Sequence, residues 1–371
     1  MFFGSMQYIL ILFWLAAMAL FGYAGGMHRK ERVLGRAERR ATWAYAIIMI
    51  VPIIAFAGMR DRYFGDTSMY YRNFLSIPAD FDGKIAYIQS ITKDTGFYAF
   101  GALLSMIIGD NVRVYFTILA AIQLLCLAKT YRKYSEDFWF AMFLFVATTD
   151  IYSWMFNGIR QFTAVTIIFA ASGWLFKKKL IRFSLAVAFA SLFHQSALLM
   201  IPIAFIVQGR AWNWKTLTVI FFTVLAIAFV GTFTNLLGSA LEDTQYRNVV
   251  SDWQSWEDDG TNPLRVLVYA MPTLLSLLGR RRIKQSDDRV VHICCNLGII
   301  STALYMISMV TSGIFIGRLP IYCSLYANGI LLPWELKHMF TQRFGRVMRM
   351  AAIACYLVFY VFQVYFVWGM L

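Results

Sequence analysis

Residues 157–207 read NGIRQFTAVTIIFAASGWLFKKKLIRFSLAVAFASLFHQSALLMIPIAFIV, and this stretch decides the interpretation of the whole chain. Two apolar runs flank a lysine-rich turn, and each run carries polar side chains that a lipid-facing helix rarely has. Arg160 opens the first run and His194 lies within the second. A charge at the bilayer centre costs roughly 3 kcal/mol on insertion scales, so we expect both residues to face a polar cavity. We interpret that cavity as the active site.

The composition predicts a membrane protein. The 371 residues are 60% apolar and 15% charged, with a mean hydropathy of +0.60, whereas soluble domains are about 25% charged. We therefore expect an all-α polytopic integral membrane protein. The five cysteines lie in or beside apolar runs and predict free thiols, with neither disulfides nor a metal site. The chain has no nucleotide-binding glycine motif, and we expect no cofactor.

The apolar runs predict about ten full spans, short interfacial helices in the outer loops, and one run that needs separate treatment, residues 183–207. The predicted spans are 8–25, 42–58, 112–128, 138–154, 162–176, 216–232, 264–279, 290–310, 319–334 and 350–369.

Charge distribution predicts the orientation of these spans. Six loops, 27–40, 129–137, 177–182, 208–215, 279–289 and 335–349, hold 24 of the 34 Lys and Arg residues, and the positive-inside rule places them in the cytoplasm. The prediction is then a single membrane domain, 1–371, with outer loops 59–111 and 233–263 and both termini external. The basic net charge of +14 reflects this topology, so we expect no nucleic-acid partner.

Residues 183–207 lie between two basic loops that are both predicted to be cytoplasmic. The chain must therefore enter the membrane and return to the same side within this run. Its 25 residues are too few for two spans of about 20 residues each, which predicts a broken or re-entrant helix pair with His194 near the turn. The alternative is one long span, which would put the acidic loop 233–263 inside.

Arginine dominates the cations that remain outside. Of these ten cations eight are arginine, and five of the arginines adjoin spans: Arg60, Arg113, Arg160, Arg265 and Arg318. A guanidinium fork suits phosphate oxygens, so the set indicates an anionic lipid-linked substrate, with a diphosphate as the natural candidate. The alternative is a set of interfacial arginines that snorkel and pair with nearby acids.

Two further features could support catalysis in the outer cavity. In the stretch RDRYFGDTSMY, residues 60–70, Gly65 permits a sharp turn and Asp66 could orient an arginine or a sugar hydroxyl. His194 is the one histidine outside the predicted cytoplasmic side, and an imidazole can accept a hydroxyl proton at neutral pH. The alternative is a core histidine satisfied by one hydrogen bond.

Three short motifs resemble those of the EpsG family of Wzy-like bacterial polysaccharide polymerases. Residues 60–70 fit R-x(4)-G-D-x(3)-Y, residues 157–164 fit N-x-I-R-Q-x-x-A, and residues 190–197 fit A-x-x-x-H-x-S-A, in the family's order. The motif region covers roughly residues 55–205. The C-terminal half resembles the family only in hydropathy and in Arg318.

The resemblance implies a polymerase that joins oligosaccharide repeat units carried on undecaprenyl diphosphate at the outer face of the bacterial cytoplasmic membrane. Catalysis would be metal-independent, with His194, Arg160 and Asp66 as the catalytic residues. The expected substrate-binding residues are Arg60, Tyr70, Asn157, Gln161, Arg265 and Arg318. The expected partners are this lipid-linked substrate and membrane lipid, and a chain-length regulator protein is a further candidate. The resemblance does not decide whether the product is O-antigen, capsule or exopolysaccharide.

Three rival functions fit the same residues. A lipid-linked glycan ligase, or another membrane glycosyltransferase, would make a single transfer rather than a ladder of products. A membrane glycan acyltransferase would consume an acyl donor. A transporter of an anionic glycolipid would form no new glycosidic bond, although transporters often show internal repeats and this chain shows none.

Overall fold

The computed structural model describes residues 2–24, 26–62, 64–244, 246–255 and 260–367. By its contacts the chain divides into two compact units, residues 1–199 with 346–371, and residues 200–345. The single membrane domain stays a prediction.

The first unit is helical apart from one β-hairpin. Its elements are α1 (Phe2–Ala24), β1 (His28–Val33), β2 (Arg36–Ala41), α2 (Trp43–Gly58), α3 (Thr67–Leu75), α4 (Phe81–Ser90), α5 (Thr95–Ile108), α6 (Val112–Tyr134), α7 (Phe138–Ala147), α8 (Asp150–Ser153), α9 (Ile159–Ala170), α10 (Ser172–Phe176), α11 (Leu180–Ser191) and a 3₁₀ helix (Gln195–Leu199). Helix α6 packs against α2 and α9 to form the core of the unit.

The second unit is organised around a buried helix, α18. Its elements are α12 (Met200–Ile206), α13 (Trp214–Ala228), α14 (Val230–Leu241), α15 (Val249–Ser255), α16 (Pro263–Leu278), α17 (Arg280–Gln285), α18 (Arg289–Ser308), a 3₁₀ helix (Ile316–Arg318), α19 (Ile321–Tyr326), a π-helix (Ala327–Leu331) and α20 (Leu332–His338). The last helix, α21 (Gln342–Phe362), which continues as a π-helix (Gln363–Val367), belongs to the first unit from residue 346 onward. Helix α18 packs against α13, α16 and α19.

Short polar side chains explain where many helices begin. Asn111 accepts a hydrogen bond from the Val114 amide at the start of α6, and Asp137 accepts one from Phe140 at the start of α7. Asp288 caps α18 in the same way. Such caps satisfy backbone N–H groups that lack an intrahelical partner, so the polar residues between apolar runs fix the helix boundaries.

The structure agrees with a helical membrane protein, while the predicted number of spans is not established. Among the described residues, three helices are long and apolar enough to cross a membrane: Val112–Tyr134, Arg289–Ser308 and Gln342–Val367. Helices α13 and α14, bent by 106°, would form a fourth if they make one span. Shorter apolar helices, of 10 to 17 residues, fall on five further predicted spans: 8–25, 42–58, 138–154, 162–176 and 264–279.

The β-hairpin departs from the all-α prediction. The strands pair antiparallel with Glu31 opposite Glu38, around a turn in which Leu34 and Gly35 both have positive φ. Positive φ at both central residues is the geometry of a type I′ turn. Eight of the twelve strand residues are charged, so the strands lack the apolar alternation that predicts a strand.

Candidate active site

The first and second motifs hold each other through reciprocal hydrogen bonds. The backbone N–H of Asp66 donates to Oδ1 of Asn157 over 3.1 Å. The backbone N–H of Gly158 donates to Oδ2 of Asp66 over 3.2 Å. Each side chain therefore fixes the backbone of the other segment, and the loop after α2 is attached directly to the start of α9.

Glycine is required at both ends of this contact. Gly65 has φ +52°, and a Cβ atom there would lie 1.6 Å from Oδ1 of Asn157. Gly158 has φ +64°, and its Cβ would lie 2.6 Å from the ring of Trp154. A side chain at either position would combine left-handed backbone strain with a collision.

Arg60 is packed between two aromatic rings at the end of α2. Its Nε and Nη1 donate to the carbonyl oxygens of Ala57 and Met155, over 2.6 and 2.7 Å. The guanidinium carbon lies 4.6 and 4.9 Å from the ring centroids of Phe116 and Phe156. Burial lowers the pKa of Arg60 to about 10, so it stays charged at neutral pH. Its Nη2 is buried and has no hydrogen-bond partner within the described ranges.

Arg160 lies in the first turn of α9 and forms an ion pair that the sequence did not predict. Its Nη1 is 2.8 Å from Oδ2 of Asp94. The guanidinium also lies 6.0 and 5.7 Å from the ring centroids of Tyr70 and Tyr98. The Asp94 side chain is 4% exposed and that of Arg160 is 25% exposed. Asp94 thus holds the Arg160 guanidinium on one side, while the exposed part of the side chain is accessible to a substrate.

Asp94 also connects Arg160 to the turn that carries the candidate base. Its Oδ1 accepts a hydrogen bond from the backbone N–H of Gln195 over 3.3 Å. Nearby, the N–H of Gly96 donates to the carbonyl of Leu192 over 2.9 Å. Burial raises the pKa of the Asp94 carboxyl, and the charge of Arg160 opposes that rise.

His194 occupies the break between α11 and the following 3₁₀ helix. Its N–H donates to the carbonyl of Ala190 over 3.2 Å, and its own carbonyl accepts from Ala197 over 3.0 Å. The imidazole Nδ1 lies 2.7 Å from the hydroxyl oxygen of Ser196, and the side chain is partly exposed. This contact orients the ring, which is a requirement for a base that must meet a substrate hydroxyl.

Comparison with known proteins assigns the chain to a family. The model of the EpsG family matches residues 43–370, which is most of the chain. The chain belongs to the EpsG family. The family predicted from the three motifs is therefore confirmed, and the match extends well beyond the motif region into the C-terminal half. No curated protein and no solved structure matches the chain.

Membership of the EpsG family indicates a membrane glycosyltransferase of polysaccharide biosynthesis. Asp66 of the first motif contacts the start of the second, and Asp94 connects Arg160 of the second motif to the turn of the third. We call Asp66, Asp94, Asn157, Arg160 and His194 the motif cluster. It lies wholly within the first unit.

The remaining predicted site residues differ in their surroundings. Tyr70 is buried beside Arg160, and burial raises its pKa, so the phenol stays neutral. Gln161 is buried on α9. Arg265 lies in the first turn of α16 and Arg318 ends a 3₁₀ helix, both in the second unit. The part predicted for these two arginines in the same site stays a prediction.

Sequence reasoning missed two residues of this candidate site, Asp94 and Tyr98. Asp94 precedes a helix that is too short to span, and a single acid in a predicted outer loop resembles an ordinary cap. Its left-handed backbone, with φ +51°, and its two partners are visible only in three dimensions. Tyr98 lies one turn further along α5.

Proposed function

We propose that this protein is a polysaccharide polymerase that joins lipid-linked oligosaccharide repeat units, with undecaprenyl diphosphate as the carrier. The observation that supports this most directly is the ion pair between Arg160 and Asp94 beside the turn that bears His194. It provides a positive charge for a departing diphosphate and a base for an acceptor hydroxyl within one continuous set of contacts.

The chemistry is transfer of a glycosyl group without a metal. His194 accepts the proton of the acceptor hydroxyl as the oxygen attacks the anomeric carbon of the donor. The bond from that carbon to the diphosphate breaks, and its electron pair leaves with the lipid diphosphate. Arg160 then neutralises the charge that develops on the leaving group, with Arg60 as a second positive charge; preorganised charge of this kind is usually the largest catalytic contribution.

The motif cluster also supports a specific division of roles. The contacts of Asp66 with the Asn157–Gly158 segment fit a positioning role, in which it fixes the loop that precedes Arg160. Asp94 holds the guanidinium and the histidine turn. Arg265 and Arg318 are proposed as additional contacts to the lipid-linked substrate.

Incubation of the purified protein with a defined lipid-diphosphate oligosaccharide tests the proposal through product size. A ladder of products is expected, and Arg160→Ala is expected to lower the rate by about 100-fold or more. His194→Ala should also abolish most activity, whereas Arg281→Ala, at an exposed arginine, and His338→Ala, both outside the motif cluster, serve as matched controls. A single transfer would favour the ligase, and lipid flux without a new glycosidic bond would favour the transporter.

The proposed topology places the site on the outer face of the cytoplasmic membrane. It comprises about ten spans, a re-entrant pair at residues 183–207 and external termini. Cysteines introduced at Lys178 and at Asp110 provide the test with a membrane-impermeant thiol reagent in intact cells. Labelling at position 110 and protection at position 178 are expected, and the reverse pattern would contradict the orientation.

A further inference from the structure

The β-hairpin has two chemically different faces. Because alternate residues of a strand point to opposite sides, Glu31, Glu38 and Arg40 share one face. Glu31 forms a 2.6 Å ion pair with Arg132 of α6, and Glu38 pairs with Arg40. Arg40 also donates to the carbonyl of Ser135 after α6. Both acidic side chains of the hairpin are thus neutralised within the protein.

Four further cations of the hairpin, whose side chains the structure describes, are exposed. The side chains of Arg29, Lys30, Arg32 and Arg39 are accessible, and within the described ranges none of the four forms an ion pair with an acid. Lys30, Arg32 and Arg39 lie on the face opposite Glu31, and Arg29 lies beside Arg40 on the same face as Glu31. The hairpin therefore presents concentrated positive charge while Glu31 and Arg40 attach it to the end of α6.

A second group of cations continues this positive surface. The ring of Tyr134, at the end of α6, packs edge-on against Phe176 at the end of α10, with 4.7 Å between their centroids. The exposed residues Lys177, Lys178 and Lys179 follow directly. The end of α6 thus lies between the hairpin and the three lysines. We call the four hairpin cations and the three lysines the cationic surface.

Exposed tryptophans indicate the depth of this surface in the membrane. Trp43 begins α2 directly after the hairpin, and the guanidinium of Arg132 lies 4.8 Å from its ring centroid. Trp174 lies three residues before Lys177, and both tryptophans are exposed. Exposed Trp residues at helix ends mark the layer of lipid headgroups.

We propose that the cationic surface binds the headgroups of anionic phospholipids. Clusters of four to eight Lys and Arg residues next to membrane helices attract anionic lipid. The tryptophans place these cations at headgroup depth, which favours lipid over an acidic soluble protein. The inference is independent of the proposed polymerase activity, because it uses no residue of the motif cluster.

Lipid counting on the full-length protein tests this proposal. The detergent-purified protein is titrated with phosphatidylglycerol and with phosphatidylethanolamine, and the bound lipids are counted by native mass spectrometry. Each membrane-adjacent cation contributes roughly fivefold to the attraction (about 1 kcal/mol), so the variant with glutamine at the four hairpin cations should lose at least about tenfold of its preference for phosphatidylglycerol. A variant with lysine at the three hairpin arginines keeps the charge and should keep the preference.

An unchanged preference in the glutamine variant would overturn the proposal, as would an equal loss in the lysine variant. Binding of polyglutamate by the wild type without any lipid preference would overturn it in favour of a protein partner. The residues that attach the hairpin to α6 are untouched, so the variants should fold. If the glutamine variant does not, glutamine at Lys177, Lys178 and Lys179 provides the same measurement, with the same outcomes, away from the hairpin.

Discussion

Replacing Asp94 with asparagine would separate the charge of this side chain from its shape. The amide keeps an oxygen that can accept from the Gln195 N–H, while the 2.8 Å ion pair with Arg160 loses its negative partner. The change therefore acts on the guanidinium first and on the histidine turn second.

The expected magnitude follows from the burial of the pair. Because the Asp94 side chain is 4% exposed and that of Arg160 is 25% exposed, solvent screens the interaction only weakly. A hydrogen bond to a charged group contributes about 1.5–3 kcal/mol, and the retained amide contact offsets part of this, so the free energy of unfolding should fall by about 1–2 kcal/mol. A misplacement of about 1 Å can lower a rate roughly 100-fold, so kcat should fall by about that factor.

The assay is elongation of a defined lipid-linked repeat, with kcat and KM measured across pH and thermal unfolding measured in parallel. The rise of kcat with pH, which an imidazole base produces, should persist in Asp94→Asn, and Asp94→Glu should recover part of the rate because it restores the charge. Wild-type kcat with lowered stability would refute the positioning role. Loss of the pH-dependent rise would show that Asp94, rather than His194, is the base.

Three further predictions follow from contacts elsewhere in the first unit. Gly65→Ala should inactivate the enzyme, whereas Gly109→Ala, with φ +58° but no atom within 4 Å of the new Cβ, should leave it active at a cost of about 1–3 kcal/mol in thermal unfolding; equal losses of activity would refute the clash. Ser196→Ala should lower kcat about tenfold, part of the roughly 100-fold that a general base contributes, and an unchanged kcat would refute its orienting role. The hydrogen bond from Arg132 lowers the pKa of Glu31, so the stability from this pair is complete above the carboxyl's unfolded pKa and is lost as pH falls through its lower folded pKa. Glu31→Gln should remove about 1 kcal/mol of stability at pH 7, measured by thermal unfolding, and little at a pH below the folded pKa; a pH-independent effect would contradict the assignment.

The helical membrane class and the EpsG family could be predicted from the sequence, because composition and the spacing within three short motifs are local features. The break at His194 was also predictable, since a run of 25 residues between two basic loops cannot contain two full spans. The motifs proved to be neighbours in the structure, yet their spacing alone did not show how they meet.

The residues that connect the motifs could not be predicted from local patterns. Asp94 is 66 positions from Arg160 in the sequence, and nothing in the residues around it distinguishes it from a surface acid. The hairpin was missed for a related reason. Its strands are attached to α6 by the ion pair between Glu31 and Arg132 and by a hydrogen bond from Arg40 to the residue that follows α6, so they leave no hydrophobic period in the sequence.

The reciprocal contact between Asp66 and Asn157 has a consequence for how this protein can change over generations. Each side chain accepts a hydrogen bond from the main chain of a segment 91 or more positions away. Loss of either residue breaks the reciprocal contact, so the remaining one no longer fixes both segments. Natural variants should therefore keep or abandon the two positions as a pair. A gene that carries only one of them would be a sign of a decaying enzyme.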